Sequence, residues 1–188
     1  MVFSPDAAEI FDCMKAICAI HELDGLAPFD NQTGLAGKPP GRDLSRAIVR
    51  ADISLMQSVA AGVFCLDGFR RGPEMDPGTA FEIGYMTALD RPLAAWTSDV
   101  RDYSRRVQDF FASTFGLTVR DGASASGGGT SGSRRDPDGV LVHSEGCFQN
   151  AMADIAIELC GGHVFADRDW RSAFTAAIAD LAGRLREN

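Results

Sequence analysis

Carboxylates are the side chains whose types and positions point most clearly to chemistry in this chain, and Glu82 is the most informative of them. Glu82 shares one face of a predicted helix with Gly78 and Met86, so its carboxylate lies among mainly apolar positions. Burial would raise its pKa and the positive end of the helix would lower it, which leaves a poorly solvated anion suited to nucleophilic attack. Periodicity alone favours a plainer interpretation, an exposed or partner-paired glutamate.

Two further carboxylates, Asp76 and Asp52, stand near the same predicted site. Asp76 directly precedes a proline and fits the N-cap of the helix that carries Glu82, so capping alone would explain it. Asp52 lies four residues after Ile48 and three before Leu55, at the edge of the apolar stripe of the preceding helix. A polar residue there either occupies the protein surface or faces a site, and the spacing leaves both interpretations open.

The elements around these carboxylates follow the order of an open α/β sheet. Residues 61–66 form a continuous apolar run that ends at Asp67, which is typical of a strand buried on both faces. A helix is predicted over 76–89 and a second strand over 92–96. Because ligands bind beyond the carboxyl ends of parallel strands, we expect Asp67 and the loop 69–76 to border the site.

The remaining elements are predicted from apolar periodicity and turn signals. They are helices over residues 4–21, 43–58 and 98–111, a closing helix that begins at Trp170, and a short strand over 26–29. A run of Ser, Gly and Ala over about 122–133 is predicted to be a flexible surface insertion. With 188 residues, the chain is expected to form a single domain over 1–188.

The composition argues against several classes of protein. A net charge of -8 without any Lys/Arg-rich run argues against binding of nucleic-acid polymers. No apolar run is long enough to cross a bilayer, and the first residues lack the features of a signal peptide, so we expect no membrane association and a cytoplasmic location. The five cysteines include no C-x-x-C pair and the three histidines share no ligand spacing, so we expect neither a disulfide framework nor a metal site.

Residues 72–85, with the sequence GPEMDPGTAFEIGY, strongly resemble the active-site segment of nucleoside 2-deoxyribosyltransferases. Shorter resemblances extend over nearly the whole chain, at residues 3–6, 28–31, 91–92, 136–139 and 149–152. The resemblance implies an α/β fold with a doubly wound, mostly parallel sheet in three layers, of the flavodoxin or Rossmann type. In that family a central strand precedes the segment that matches residues 3–6. The sheet is therefore expected to lack its first strand, and the natural protein is expected to start upstream of Met1.

The resemblance also implies roles for individual residues. Glu82 matches the nucleophile, Asp76 matches an acid that helps to hold the substrate, and Asp52 lies where the family has a residue near the nucleobase. Asn150 resembles an asparagine that reaches the deoxyribose of a neighbouring subunit, which implies a homo-oligomer whose neighbour completes the site. Ala151 follows it where the family usually has Leu. The expected substrate-binding residues are Phe3, Asp67, Gly78, Asn150 and Met152.

The implied reaction moves 2-deoxyribose from a 2'-deoxynucleoside to a free nucleobase by double displacement through a covalent ester of Glu82. No metal and no organic cofactor is implied. One alternative is a hydrolase of 2'-deoxynucleoside 5'-monophosphates, for which Arg70, Arg71 and Ser144 are candidate phosphate ligands. The other alternative is a catalytically inactive nucleotide-binding module.

Overall fold

The computed structural model describes residues 4–31, 35, 37–118, 120–121, 134–142 and 145–187. The helices are α1 Ala7–Ile20, α2 Arg42–Ser58, α3 Pro77–Ala88, α4 Tyr103–Phe115, α5 Ala151–Leu159 and α6 Trp170–Glu187, with short 3-10 turns at Pro28–Asn31 and Phe69–Arg71. The strands are β1 Gly62–Cys65, β2 Leu93–Thr97, β3 Arg120–Asp121, β4 Arg134–Arg135, β5 Leu141–Val142 and β6 Val164–Ala166.

The central sheet has the strand order β1-β2-β6 and all its strands are parallel. Gly62 pairs with Leu93 and Ala95 pairs with Val164, so β2 lies between the other two strands. Every residue of β2 is buried, which is the burial expected of a central strand covered on both faces. The predicted α/β fold class with a parallel sheet is confirmed.

Helices cover both faces of this sheet and form two apolar cores. On one face, Ile83 of α3 and Ile157 of α5 pack against β1 and β2. On the other face, Trp96 of β2 packs with Phe174 and Ile178 of α6. Fully burying one such side chain contributes about 1.5–3 kcal/mol, so these two layers hold α3 and α6 firmly on the sheet.

Four of the predicted elements are confirmed to within one residue. They are the helices over 43–58 and 76–89 and the strands over 61–66 and 92–96. The first helix begins later than predicted, at Ala7, with Asp6 in the N-cap position. The fourth begins at Tyr103 rather than Ser98, because the Asp102 side chain caps it by accepting a hydrogen bond from the Arg105 N–H at 2.8 Å.

The prediction of a strand over 26–29 is wrong, because Asp30 closes a turn there. Its carboxylate accepts hydrogen bonds from the Ala27 N–H at 2.7 Å and from the Lys15 ammonium at 2.6 Å, while the Asp30 N–H donates to the Ala27 carbonyl. Local side-chain bonds of this kind compete with a sheet ladder for the same backbone groups. Among the described residues, β1 therefore pairs only with β2, and its other edge borders a cavity.

The small antiparallel sheet β3-β4-β5 was not predicted, since its strands of two residues each are too short to show a pattern. The predicted flexible insertion at 122–133 lies outside the described residues, as do Phe3 and Ser144.

Candidate active site

A cavity of about 880 Å³ lies beside β1 and receives residues from α1, α2, α3 and α6. Its volume falls in the range of pockets that bind small molecules. Much of its lining is apolar, and the polar part includes four carboxylates and one guanidinium. These groups are Asp52, Asp67, Asp76, Glu82 and Arg70.

Glu82 reaches this cavity because of where α3 begins and which face it buries. Pro77 occupies the first turn of the helix, and its fixed φ suits that position. Ile83 and Met86 are buried against the sheet, which leaves Glu82 half-buried beside them. Burial, followed by the charges of Asp52 and Asp76, raises the pKa of Glu82 from 4.5 to about 7. The three carboxylates predicted to act together are therefore close enough to interact.

Asp76 occupies the N-cap position of α3, yet its side chain accepts no capping hydrogen bond. One of its carboxylate oxygens faces Gly78, where an added Cβ would lie 2.9 Å from Oδ2 of Asp76. Capping alone therefore does not explain Asp76, and the glycine at 78 leaves room for the carboxylate.

Asp52 lies half-buried on α2 and lines the same cavity. Burial raises the pKa of its carboxyl group.

Asp67 also lines the cavity, but its carboxylate is largely occupied by the protein. Its two oxygens accept hydrogen bonds from Thr97 Oγ1 at 2.8 Å and from the N–H and Oγ of Ser98 at 2.6 and 2.8 Å. These bonds tie the carboxyl end of β1 to the carboxyl end of β2. Asp67 therefore has less capacity left for a ligand than its sequence position suggested.

Arg106 and Gln149 fix the backbone behind the site, and sequence patterns did not single them out as site residues. The buried Arg106 guanidinium donates to the Leu66 carbonyl at 2.9 Å and to Thr97 Oγ1 at 2.7 Å. The buried Gln149 amide donates to the carbonyls of Leu66 and Pro73, each at 3.0 Å. Together they hold the end of β1 and the loop that leads to Asp76.

Cys18 and Cys65 line the cavity as well, and burial raises the pKa of both thiols, that of Cys65 to about 12. A buried thiol with a raised pKa stays protonated at neutral pH and is a poor nucleophile. Among the described residues, the carboxylates are therefore the better candidates for covalent chemistry.

Asn150 and Met152 do not line this cavity. Asn150 caps α5, since its Oδ1 accepts a hydrogen bond from the Met152 N–H at 2.9 Å, and the Met152 side chain is 83% exposed. Gly78 is exposed in the first turn of α3. Within one chain, the structure thus brings together Asp52, Asp67, Asp76 and Glu82, and leaves Asn150 and Met152 outside.

Within the part of the chain that the structure describes, no group of three His, Cys, Asp or Glu side chains is arranged to hold a metal ion. None of the described helices combines the length and the apolar character needed to span a bilayer.

The fold and the cavity define an α/β protein with a cluster of carboxylates beyond the end of a parallel strand. The family model described as nucleoside 2-deoxyribosyltransferase matches residues 1–152, and the chain belongs to that family. An uncharacterised protein of Schizosaccharomyces pombe is 44% identical over 185 residues, which cover 98% of this chain and 86% of that protein. A solved 2-desoxiribosyltransferase from Leishmania mexicana has a similar fold, with a TM-score of 0.55 and 21% identity over 94% of this chain and 91% of that one.

Proposed function

We propose that this chain is a nucleoside 2-deoxyribosyltransferase in which Glu82 is the nucleophile. The observation that carries the proposal is the half-buried carboxylate of Glu82, whose pKa is raised to about 7 by burial and by the neighbouring Asp52 and Asp76. Near neutral pH part of the protein then carries an ionised Glu82 that is incompletely solvated. Such a carboxylate is well suited to attack a sugar carbon.

In the first half of the reaction, Glu82 attacks C1' of the deoxyribose as the bond between C1' and the base nitrogen breaks. The departing base takes a proton supplied through Asp52 or Asp76, and the sugar stays on Glu82 as an ester. In the second half, a nitrogen of a second base attacks C1' and gives its proton to the aspartate that protonated the first base, while the ester bond breaks and Glu82 leaves as a carboxylate. Two inversions give retention at C1'.

We propose that a second copy of the chain completes the site across the surface formed by α3 and α5. Apolar side chains on this surface are exposed, and those on α5 recur at helical spacing: Phe81 on α3 and Met152, Ile155 and Leu159 on α5. Exposed apolar patches of this kind mark interfaces between proteins. Asn150 is the N-cap of α5 and lies outside the cavity of its own chain, so in this arrangement its side-chain amide N–H groups face the cavity of the neighbour while its Oδ1 caps the helix.

The expected substrates are 2'-deoxynucleosides and free nucleobases, and no cofactor takes part. All five cysteines are free thiols, which suits the reducing cytoplasm.

The proposal is tested by incubating the protein with deoxyinosine and adenine and separating the products by HPLC. Transfer produces deoxyadenosine, whereas hydrolysis produces hypoxanthine and free deoxyribose. Glu82→Gln is expected to abolish both, and Glu9→Gln, the same chemical change at an exposed position on α1, is expected to abolish neither. Turnover by Glu82→Gln near the original rate would contradict the proposed role of Glu82. No turnover by the unaltered protein would favour an inactive binding module.

A further inference from the structure

The loop 69–76, which leads from β1 to α3, is held in a strained backbone conformation. Arg70 and Arg71 both adopt left-handed angles, with φ of 50° and 66°. Such conformations cost non-glycine residues free energy and persist only where the surroundings impose them. Within the loop, the Phe69 N–H donates to the Glu74 carbonyl at 2.7 Å. A strained loop relaxes where it is not fixed, so its contacts with the rest of the chain decide its shape.

Gln149 fixes the backbone at both ends of this loop. Its side chain is fully buried, and its amide Nε2 donates to the carbonyls of Leu66 and Pro73, each at 3.0 Å. Leu66 directly follows β1, and Pro73 lies three residues before Asp76. The amide oxygen of Gln149 finds no partner among the described residues, which is unfavourable for a buried polar atom. The opposite orientation of the amide would place that oxygen against two carbonyl oxygens, so the loop contacts decide how Gln149 is oriented.

Tyr103, at the start of α4, holds the loop at the next residue along the chain. Its hydroxyl donates a hydrogen bond to the Glu74 carboxylate. Burial, followed by the hydrogen bond and the charge of Glu74, raises the pKa of Tyr103, so the hydroxyl keeps its proton at neutral pH and remains a donor. The Tyr103 N–H also donates to the carbonyl of Cys147 at 2.9 Å, two residues before Gln149. The two side chains therefore reach the loop from one connected part of the structure.

Asp76 ends the loop, and no capping bond fixes its carboxylate, although that carboxylate lines the cavity. The position of the carboxylate consequently depends on the backbone that leads to it. Pro73 and Glu74, the two residues that these side chains hold, lie three and two residues before Asp76.

We propose that Gln149 and Tyr103 are positioning residues for the transfer reaction, which hold the loop so that the Asp76 carboxylate is correctly placed relative to Glu82. This inference rests on the proposed function, because it assumes that Asp76 takes part in the reaction. Neither Gln149 nor Tyr103 is among the described residues that line the cavity, so both act through the loop and not by touching the substrate. A displacement of about 1 Å in a site of this kind costs about 100-fold in rate.

Each contact is removed by one substitution, and kcat is measured in the assay with deoxyinosine and adenine. Tyr103→Phe removes only the hydroxyl, and Gln149→Met keeps an unbranched side chain without the two donated bonds. Each is expected to lower kcat about 10- to 100-fold. Glu74→Gln is expected to lose less than Tyr103→Phe, because its amide oxygen still accepts from the hydroxyl. Gln108→Met, the same change on α4 and outside the cavity lining, is expected to leave kcat unchanged. Unchanged kcat in Tyr103→Phe or in Gln149→Met overturns the assignment of that residue.

A double-mutant cycle with Asp76→Asn separates positioning from a general loss of structure. If both residues act through Asp76, adding Tyr103→Phe or Gln149→Met to Asp76→Asn is expected to lower kcat by less than about twofold more. A further loss as large as the one in the unaltered background, which a general destabilisation would produce, overturns the proposal.

Hydrogen–deuterium exchange of the loop amides gives a measurement that needs no turnover. The Phe69 and Gly72 N–H groups are hydrogen-bonded within the loop, to the carbonyls of Glu74 and Phe69. Both are expected to exchange about tenfold faster in Tyr103→Phe and in Gln149→Met, while the amides of α6 keep their rates. Unaltered rates at the loop amides overturn the proposal even where deoxyadenosine is formed. Faster rates at these amides, with no deoxyadenosine formed by the unaltered protein, would refute the proposed function alone, since the two side chains are then shown to hold the loop.

Discussion

The charge of Glu82 should destabilise the folded protein, and Glu82→Gln should therefore stabilise it in a way that depends on pH. In the folded state the pKa of Glu82 is about 7, against an ordinary value of 4.5. Between these two values the folded chain holds a proton at Glu82 that the unfolded chain has released. The stability of the unaltered protein consequently falls as pH rises from about 4.5 to about 7 and then stays at the lower level.

The size of the effect follows from the same two pKa values. Each unit of pKa corresponds to about 1.4 kcal/mol, so the full difference is about 3 kcal/mol. Glutamine keeps the shape of the side chain and carries no charge at any pH. The stabilisation by Glu82→Gln is therefore expected to be small below pH 4.5 and to grow to about 3 kcal/mol above pH 7.

Urea unfolding curves measured at intervals from pH 4 to pH 9 test this expectation. Glu9→Gln on α1 supplies the baseline for replacing an exposed glutamate by glutamine. A difference between Glu82→Gln and the unaltered protein that stays constant over this range would refute the reasoning. So would a destabilisation by Glu82→Gln that grows above pH 7.

Two other predictions concern the neighbours of Glu82, and a third concerns the surface between subunits. Asp76→Asn should change stability by less than about 1 kcal/mol, because the side chain makes no capping bond, and should lower turnover far more; equal small losses in both would contradict this. Gly78→Ala should displace the Asp76 carboxylate and lower kcat at least about tenfold, since a Cβ there would lie 2.9 Å from it; unchanged kcat would contradict the contact. Met152→Asp is expected to shift the protein to monomers in sedimentation. Glu82→Gln and Asn150→Ala are each expected to lose turnover, and mixing them is expected to restore part of it, because one site of a mixed oligomer then has both residues intact; no restored turnover would contradict a shared site.

The sequence predicted the helix that carries Glu82 well because its signals are local. A proline after Asp76 marks the start of the helix, and the apolar run that precedes the loop can only be a buried strand or a short helix segment. The rule that ligands bind beyond the carboxyl ends of parallel strands then located the loop between these elements. Asp52, Asp76 and Glu82 indeed lie at one cavity.

Other features depend on contacts between distant parts of the chain, and no local pattern reveals them. Arg106 is a buried cation in α4, and its partners Leu66 and Thr97 lie 40 and 9 residues away along the chain. Residues 26–29 contain the apolar positions of a short strand, yet the Asp30 side chain closes them into a turn. The hydrogen bonds to the Asp67 carboxylate come from Thr97 and Ser98, at the carboxyl end of β2. These residues lie close to Asp67 only because β1 and β2 pair in the sheet.

The most direct test of Glu82 as the nucleophile is to trap the sugar on it. A 2'-fluorinated deoxynucleoside slows the release of the sugar, because fluorine disfavours the positive charge that develops at C1'. After incubation with this analogue and proteolysis, mass spectrometry is expected to find one sugar ester, on the peptide that contains Glu82, and none in Glu82→Gln. A sugar ester on another residue, or turnover of the natural substrate without any trapped ester in the unaltered protein, would contradict the proposed mechanism.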